Sequence, residues 1–398
     1  MKKKTILILG GTLMQVPVIQ SAKFQGYYVI TADYLPNNIG HKFADEYFNV
    51  STTDKEGILQ LARQKNIDGI LAYASDPAAP TAAFVSEQIG LPGNKYSVVN
   101  MMSNKTLFRQ FLYNNHFPTP ENHSFNDYDS FKSYINKINY PVIIKPVDSS
   151  GSKGISIIIN RDINLKTIYN NAIEYSRKKE IIVEKIIEGN QLHGDAFVEN
   201  GNLIMMYLGD QNFDDSINKL VPCYTIWPSK SNEKVISHIE NQIQEFIQLS
   251  GFKNGGLNIE IRIEKETGIP YIIEIGPRNG GHFTPDTIHY ATNFDFAKNS
   301  VNVALGEKIT YHKTINQGYF ANLILHSNQT GIYKGITFKK ELENKIIEYH
   351  IYKNEGDIIY PYNGSNTAIG VAIVKFNNYT EAIETLNNAY KYYIINLA

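Results

Sequence analysis

The chain has 398 residues, and 38 Lys and Arg against 39 Asp and Glu leave a net charge of −1. That balance excludes a protein that gathers nucleic acid through a positive field, and no apolar run reaches the ~18 residues of a membrane helix. A hydrophobic content of 42% is enough for two or three cored domains, and one cysteine, Cys223, excludes a disulfide framework or a multi-cysteine zinc site.

Met1-Lys2-Lys3-Lys4 leads into TILILGG, too short an apolar stretch for a secretory signal and without a small-residue cleavage site, so the expected compartment is the cytoplasm. TILILGG reads instead as a buried strand ending in Gly10-Gly11. A helix over Met14–Phe24, the strand YYVITAD ending at Asp33, a helix over Lys55–Lys65, the strand DGILAYASD and a helix over Thr81–Ile89 follow. This alternation predicts a doubly wound parallel sheet over residues 1–100, with ligands beyond the carboxyl ends of its strands, where Gly10, Gly11, Asp33, Ser75 and Asp76 fall. GGTLMQ lacks the third glycine of a dinucleotide fingerprint, so Asp33 reads as a turn former rather than a ribose ligand.

Residues 101–116 read as one helix with Ser103 as N-cap and Lys105 in its first turn, ended by Pro118 and Pro120. From 121 to about 188 the pattern is strand, helix, strand, glycine turn, strand, helix, strand, an α+β lobe. A long helix over Glu233–Gly251 and a hairpin over 257–276 lie within 189–308. Residues 309–398 read as a small α+β, strand-rich domain ending in a helix near Tyr379–Tyr390.

Three segments carry chemistry. YPVIIKPVDSSGSKGISIII (140–159) places Lys145 on a strand among apolar neighbours, then a turn with Ser149, Ser150, Gly151, Ser152, Lys153 and Gly154. Glycines let backbone N–H groups approach anionic oxygens, and a lysine so placed needs an anion, which a triphosphate supplies. The turn departs from the P-loop pattern, and an ordinary Ser/Gly hairpin is the alternative reading. In GGLNIEIRIEKETGIPYIIEIGPRNGG (255–281) two period-two strands flank a turn at Lys265–Ile269. If residue 264 faces 270, Glu260 faces Glu274. Two carboxylates placed opposite each other repel, and a divalent cation, Mg2+ where phosphate is present, removes the repulsion. Arg278 follows, suited to neutralising a phosphoryl group. IIVEKIIEG (181–189) runs from a buried strand through Glu184-Lys185 and could offer backbone groups to a flat base.

The order Lys105, Lys145 with its glycine turn, Glu184-Lys185, Glu260, Glu274, Arg278 resembles the ATP-grasp superfamily, in the branch with biotin carboxylase, carbamoyl phosphate synthetase and carboxyaminoimidazole ribonucleotide synthetase. The resemblance implies a pre-ATP-grasp domain over 1–100 and an ATP-grasp domain over 101–308 with a mobile lid over about 120–187. It also implies a closing domain over 309–398. By position, Lys105 and Lys145 are then the phosphate-contacting lysines, and Ser149–Gly154 the lid loop. Glu184 accepts from the adenine amino group, Lys185–Ile187 line the base, and Glu188 or Gln191 meets the ribose. Glu260 and Glu274 bridge Mg2+, and Arg278 steadies a phosphorylated intermediate. Gly276 stands where relatives carry a metal-binding asparagine, leaving Asn279 or water to fill the place. The biotin carboxylase histidine has no counterpart in register, His193 being one position away.

The implied reaction activates a small-molecule carboxylate with ATP as an acylphosphate and joins it to an amine, with a homodimer as the family assembly. Lys219, Asn279, His282, Ser75 and Asp76 are the candidate substrate contacts. Two other readings are a bicarbonate-dependent carboxylation of a purine intermediate and a nucleotide-binding regulator without turnover. The absence of an acidic signature in YASDPAAPTAAF counts against the first, and retention of both Glu260 and Glu274 against the second.

Overall fold

Four parallel strands, β1 (Thr5–Leu9), β2 (Tyr28–Ala32), β3 (Glu46–Phe48) and β4 (Gly69–Ala72), form the first sheet of the computed structural model, in the order β3-β2-β1-β4. The model describes residues 3–160, 163–214, 220–311 and 314–398. The interior strand TILIL is apolar throughout because both sheet faces are covered. Helices α1 (Val16–Phe24), α2 (Lys55–Lys65) and α3 (Ala79–Ile89) supply part of that cover, α2 and α3 on one face and α1 on the other. Asp54 caps α2, its side chain accepting from Gly57 N at 3.0 Å. Asp33 accepts from Gly11 N, Leu35 N and Asn38 Nδ2, the bonds of a turn former.

The single helix expected over 101–116 is two, α4 (Tyr96–Met102) and α5 (Lys105–Asn114). The N-cap of α5 is Asn104 rather than Ser103, accepting from Leu107 N at 2.9 Å. The next lobe matches the predicted order: β5 (Asn122–Phe125), α6 (Tyr128–Ile135), β6 (Val142–Pro146), β7 (Ser156–Ile158), α7 (Leu165–Glu174) and β8 (Ile181–Lys185). Its sheet runs β5-β8-β6-β7, all antiparallel, over a core that includes Phe131, Ile144 and Val183.

The largest sheet begins with β9 (Gly189–Glu199), β10 (Asn202–Phe213) and β11 (Pro222–Trp227). Helix α8 (Glu233–Ser250) follows, ended by Gly251 in the left-handed conformation. After it come β12 (Gly255–Glu264), β13 (Pro270–Gly276) and helices α9 (Thr284–Thr292) and α10 (Phe296–Ala304). The remaining elements are β14 (Tyr319–Leu325), β15 (Gly331–Phe338), α11 (Lys340–Glu343), β16 (Ile346–Ile351), β17 (Ile358–Ile359), β18 (Gly370–Phe376), α12 (Tyr379–Asn387) and β19 (Tyr393–Leu397).

One difference from the sequence expectation concerns the C-terminal 90 residues. Three of their strands extend the large sheet, whose order is β13-β12-β9-β10-β11-β14-β18-β16; β15, β17 and β19 form a small sheet beside it. A boundary at 308 therefore cuts a continuous eight-stranded sheet between β11 and β14. One face of that sheet is sealed by α5 and α8 through Phe108, Leu112, Ile243 and Phe246. The other is covered near Phe197 and Trp227 by Ile288, Phe294 and Phe296, and its uncovered part floors a cleft.

Candidate functional site

Antiparallel strands place directly opposed residues on the same face, so the floor of the cleft can be read as cross-strand rows. One row runs Glu274, Glu260, His193, Gly209 across β13, β12, β9 and β10. The row on one side is Gly276, Asn258, Asp195; the row on the other includes Arg262, Gln191, Gln211 and Thr225.

Glu260 faces Glu274 as the alternation predicts, but the turn does not set this pairing. Glu264 N bonds to Ile269 O and Ile263 pairs with Pro270, a register that by itself would bring Ile273 opposite Glu260. A bulge at Ile273 inserts one residue, so pairing resumes at Glu274. Arg109, on the buried stripe of α5, pins the bulge by donating from Nη1 to Ile272 O at 3.3 Å and from Nη2 to Ile273 O at 2.8 Å.

Desolvation and the facing Glu274 push the Glu260 carboxyl up to about 7. Burial is the larger cause and the like charge adds to it; the two facing carboxylates fit a divalent cation. Among the described residues no group of three His, Cys, Asp or Glu forms a closed metal cage. Two acids with the rest of the shell open suit Mg2+ shared with phosphate oxygens. Lys105 Nζ lies 3.5 Å from Glu274 Oε2 and donates to Ser149 O at 2.9 Å, tying the metal pair to the serine–glycine loop.

Glu184 is the centre of a buried ion-pair network. Both its oxygens are taken, Oε1 by Arg109 Nε at 2.7 Å and Oε2 by Lys145 Nζ at 2.7 Å, and the side chain is 2% exposed. Burial opposes its charge, but Arg109 and Lys145 hold its carboxyl down at about 2. The side chain is the counter-ion that aims Lys145 and Arg109.

Ser149, Ser150, Gly151 and Ser152 line the cleft with Lys105 and Lys145. Asp148 anchors the loop by accepting from Ser176 Oγ, Arg177 N and Lys178 N. Ser152 Oγ donates to Leu220 O at 3.0 Å, and Gly151 lies against Ser365 of the C-terminal segment. Gly154, at φ +70°, is packed on Pro146 and Tyr175, while Lys153 is exposed and outside the cleft. Lys185 and Glu188 line a separate groove beside Glu264, Ile187 is buried, and Gln191 donates to Gln211 Oε1 at 2.6 Å on the cleft floor.

Arg278 lines the cleft paired with Asp76, Nε to Oδ1 at 2.7 Å and Nη2 to Oδ2 at 2.6 Å. Arg278, Lys105 and Ser150 hold the Asp76 carboxyl below its ordinary range against the effect of burial. Gly276 makes room for this pair: a Cβ there would lie 3.2 Å from Asp76 Oδ1 and 3.3 Å from Arg278 Cζ. Asp76→Asn should lower the melting temperature by a few degrees, since charged hydrogen bonds contribute about 1.5–3 kcal/mol. Calorimetry checks this.

Asn279 does not fill the place left by Gly276. It is 2% exposed, accepts from Ser300 Oγ at 3.1 Å and donates toward Asp195, off the lining of this cleft. Ser75 is likewise off the lining, and Lys219 lies outside the described residues. His282 is on the lining, at φ +49° and followed by Phe283 at +56°, with Nδ1 3.0 Å from Tyr352 Oη. Two successive non-glycine residues in this region mark strain held in place by the surrounding packing. Val221, Tyr224, Ile324 and Tyr362 form an apolar end beside His282 and Asn322. The cleft encloses about 310 Å3, the size of a small-molecule pocket of roughly 300–1,000 Å3.

Sequence reasoning missed Arg109, although its place among Lys105, Phe108 and Leu112 on one helical stripe was a signal of burial. It also missed the Asp195–Asn258–His193 chain, which joins residues 65 apart and has no local signature.

The fold has counterparts among known proteins. The ATP-grasp domain family matches residues 138–286. An L-amino acid ligase from Bacillus licheniformis superposes with a TM-score of 0.84 at 20% identity, covering 100% of both chains. Phosphoribosylglycinamide synthetase from Anaerococcus prevotii gives 0.78 at 21% identity, covering 100% of both. The biotin carboxylase domain of Hydrogenobacter thermophilus 2-oxoglutarate carboxylase, in complex with MgADP and bicarbonate, gives 0.77 at 20% identity, covering 99% of this chain and 91% of that one.

Proposed function

We propose, from the match of residues 138–286 to the ATP-grasp domain family, that the protein is an ATP-dependent ligase that converts a small-molecule carboxylate to an acylphosphate and joins it to an amine. The observation that carries the reading is the single cleft in which Glu260 and Glu274 face each other beside Lys105, Lys145, Arg278 and the serine–glycine loop.

In this reading Lys105 and Lys145 neutralise the nucleotide phosphates and Ser149–Ser152 close over them. Glu260 and Glu274 hold Mg2+, which when bound neutralises phosphate charge. A carboxylate oxygen of the substrate attacks the γ-phosphorus, and the bond to the β-phosphate oxygen breaks to release ADP. The amine nitrogen then attacks the acyl carbon, the C–O bond to phosphate breaks, and the nitrogen gives up a proton. Arg278 lies where it can meet the negative charge that passes from γ-phosphate to acylphosphate. Preorganised charge and orientation account for rate, and no protein nucleophile is required. The closed loop keeps water from the acylphosphate.

The L-amino acid ligase neighbour makes amino acids the first carboxylates and amines to test. The apolar end of the cleft favours one that bears a hydrophobic side chain. Phosphate release is expected with ATP, Mg2+ and both substrates, and not with either alone. Dependence on bicarbonate instead would point to carboxylation, and no release across the panel would point to a binding protein.

A further inference from the structure

Amide formation releases a proton from the attacking nitrogen, and most acids and bases that line the cleft are already engaged. Asp76 is paired with Arg278, and Glu260 and Glu274 face each other as the proposed metal pair. Lys105 and Lys145 are paired with Glu274 and Glu184. The Tyr224 hydroxyl donates to Asn387 Oδ1 and the Tyr362 hydroxyl to Pro222 O. His193 has Nε2 against Asn258 Nδ2, and its Nδ1 is fully buried. His282 is what remains. It lines the cleft, and its Nε2 keeps exposed surface and makes no hydrogen bond among the described residues. The other ring nitrogen, Nδ1, is held 3.0 Å from Tyr352 Oη. The charge of Asp286 acts on that hydroxyl and draws its proton, so the oxygen accepts from Nδ1–H and the lone pair of the ring is on Nε2. Burial lowers the pKa of the imidazole and keeps it neutral. The backbone holds the ring in place. His282 and Phe283 both lie at positive φ, and the Phe283 ring stacks on His350 at 3.7 Å between centroids and 1° between planes. Such strain persists where the surroundings over-determine it, as it does at functional sites.

We infer that His282 is a catalytic residue of the proposed ligase, its Nε2 accepting the proton of the amine as the nitrogen attacks the acylphosphate. The inference rests on the ATP-dependent ligase reading. The C–N bond forms, the C–O bond to phosphate breaks and the N–H proton passes to Nε2; the departing phosphate then takes that proton from the imidazolium. Position suits the step. Arg278 and His282 both act electrostatically on His193, which is one strand from Glu260, so His282 borders the phosphoryl end of the cleft as well as its apolar end. Chemistry agrees, because a neutral base with one nitrogen tethered and the other free takes a proton without reorienting, and the phosphate charge offsets the imidazolium that forms.

The test separates the two half-reactions in the full-length protein, using the amino-acid pair found to release phosphate. Acylphosphate formation is read by positional isotope exchange in 18O-labelled ATP with the carboxylate substrate alone, and amide formation by appearance of product. His282→Asn is the variant of choice, because Asn adopts positive φ more readily than most side chains and so keeps the turn. The ratio of amide formation to isotope exchange is expected to fall about 10²-fold. An unchanged ratio overturns the inference, including the case in which both rates fall together, as a purely structural role would make them do. A second measurement needs no active variant: NMR of the 15N-histidine-labelled wild type, with His282 assigned by the loss of its signals in His282→Asn or His282→Gln, is expected to show a protonated Nδ1 and a bare Nε2. A protonated Nε2 overturns the inference. Absence of isotope exchange in the wild type, or of phosphate release with any pair, overturns the ligase reading itself, and this inference with it.

Discussion

Glu274→Gln is expected to fold as the wild type does and to lose ADP formation by roughly 10²–10³-fold. The substitution keeps shape and removes one charge, so it lifts the repulsion that Glu274 adds to the burial of Glu260, at the expense of the 3.5 Å ion pair with Lys105. These changes oppose each other in stability, and the melting temperature should move little. The proposed metal site has no such compensation, since half of the facing carboxylate pair is gone. Mg2+ titration should therefore shift to higher concentration together with the loss of ADP release. Turnover at the wild-type rate with an unchanged Mg2+ requirement would remove Glu274 from metal binding.

The second large effect is in stability. Glu184→Gln leaves Arg109 and Lys145 buried without their carboxylate, and breaking such a pair from one side costs about 3–5 kcal/mol. The native carboxyl titrates at about 2 against an ordinary 4.5, so the difference between the two forms is worth ~3 kcal/mol. For an acid with a depressed native pKa this stability is present in full above about 4.5 and is lost as pH falls from there toward about 2. Thermal melts across that window should converge for wild type and variant at the acid end and separate above it. Parallel curves would mean that Glu184 is not charged in the native state. The damage should also reach the metal pair, because Arg109 joins Glu184 to the bulge that brings Glu274 opposite Glu260.

That bulge shows where sequence reading stops. The alternation in 257–276 is a local property of the chain, and it correctly puts Glu260 and Glu274 on one face and opposite each other. The reasoning behind it assumed 264 against 270, whereas the turn closes one residue earlier and Ile273 absorbs the offset. An inserted residue leaves no mark in a run as uniformly apolar as YIIEIG. Glu184 illustrates the converse problem. Its sequence neighbours identify it as special, but its partners come from α5 and β6, 75 and 39 positions away, and only the fold ties its carboxylate to Arg109 and Lys145.

By itself the sequence determined the parallel first sheet, the strand and helix order of the 121–188 lobe, the serine–glycine loop and the two facing acids, because periodicity, capping and turn chemistry act within about a dozen residues. Only the tertiary structure decided that the C-terminal strands extend the central sheet, that Asp76 reaches across 202 positions to engage Arg278, and that Asn258 and Asp195 orient His193. These are pairings between segments distant in the chain. Their energies depend on burial and charge where the segments meet, which no local pattern of residues records.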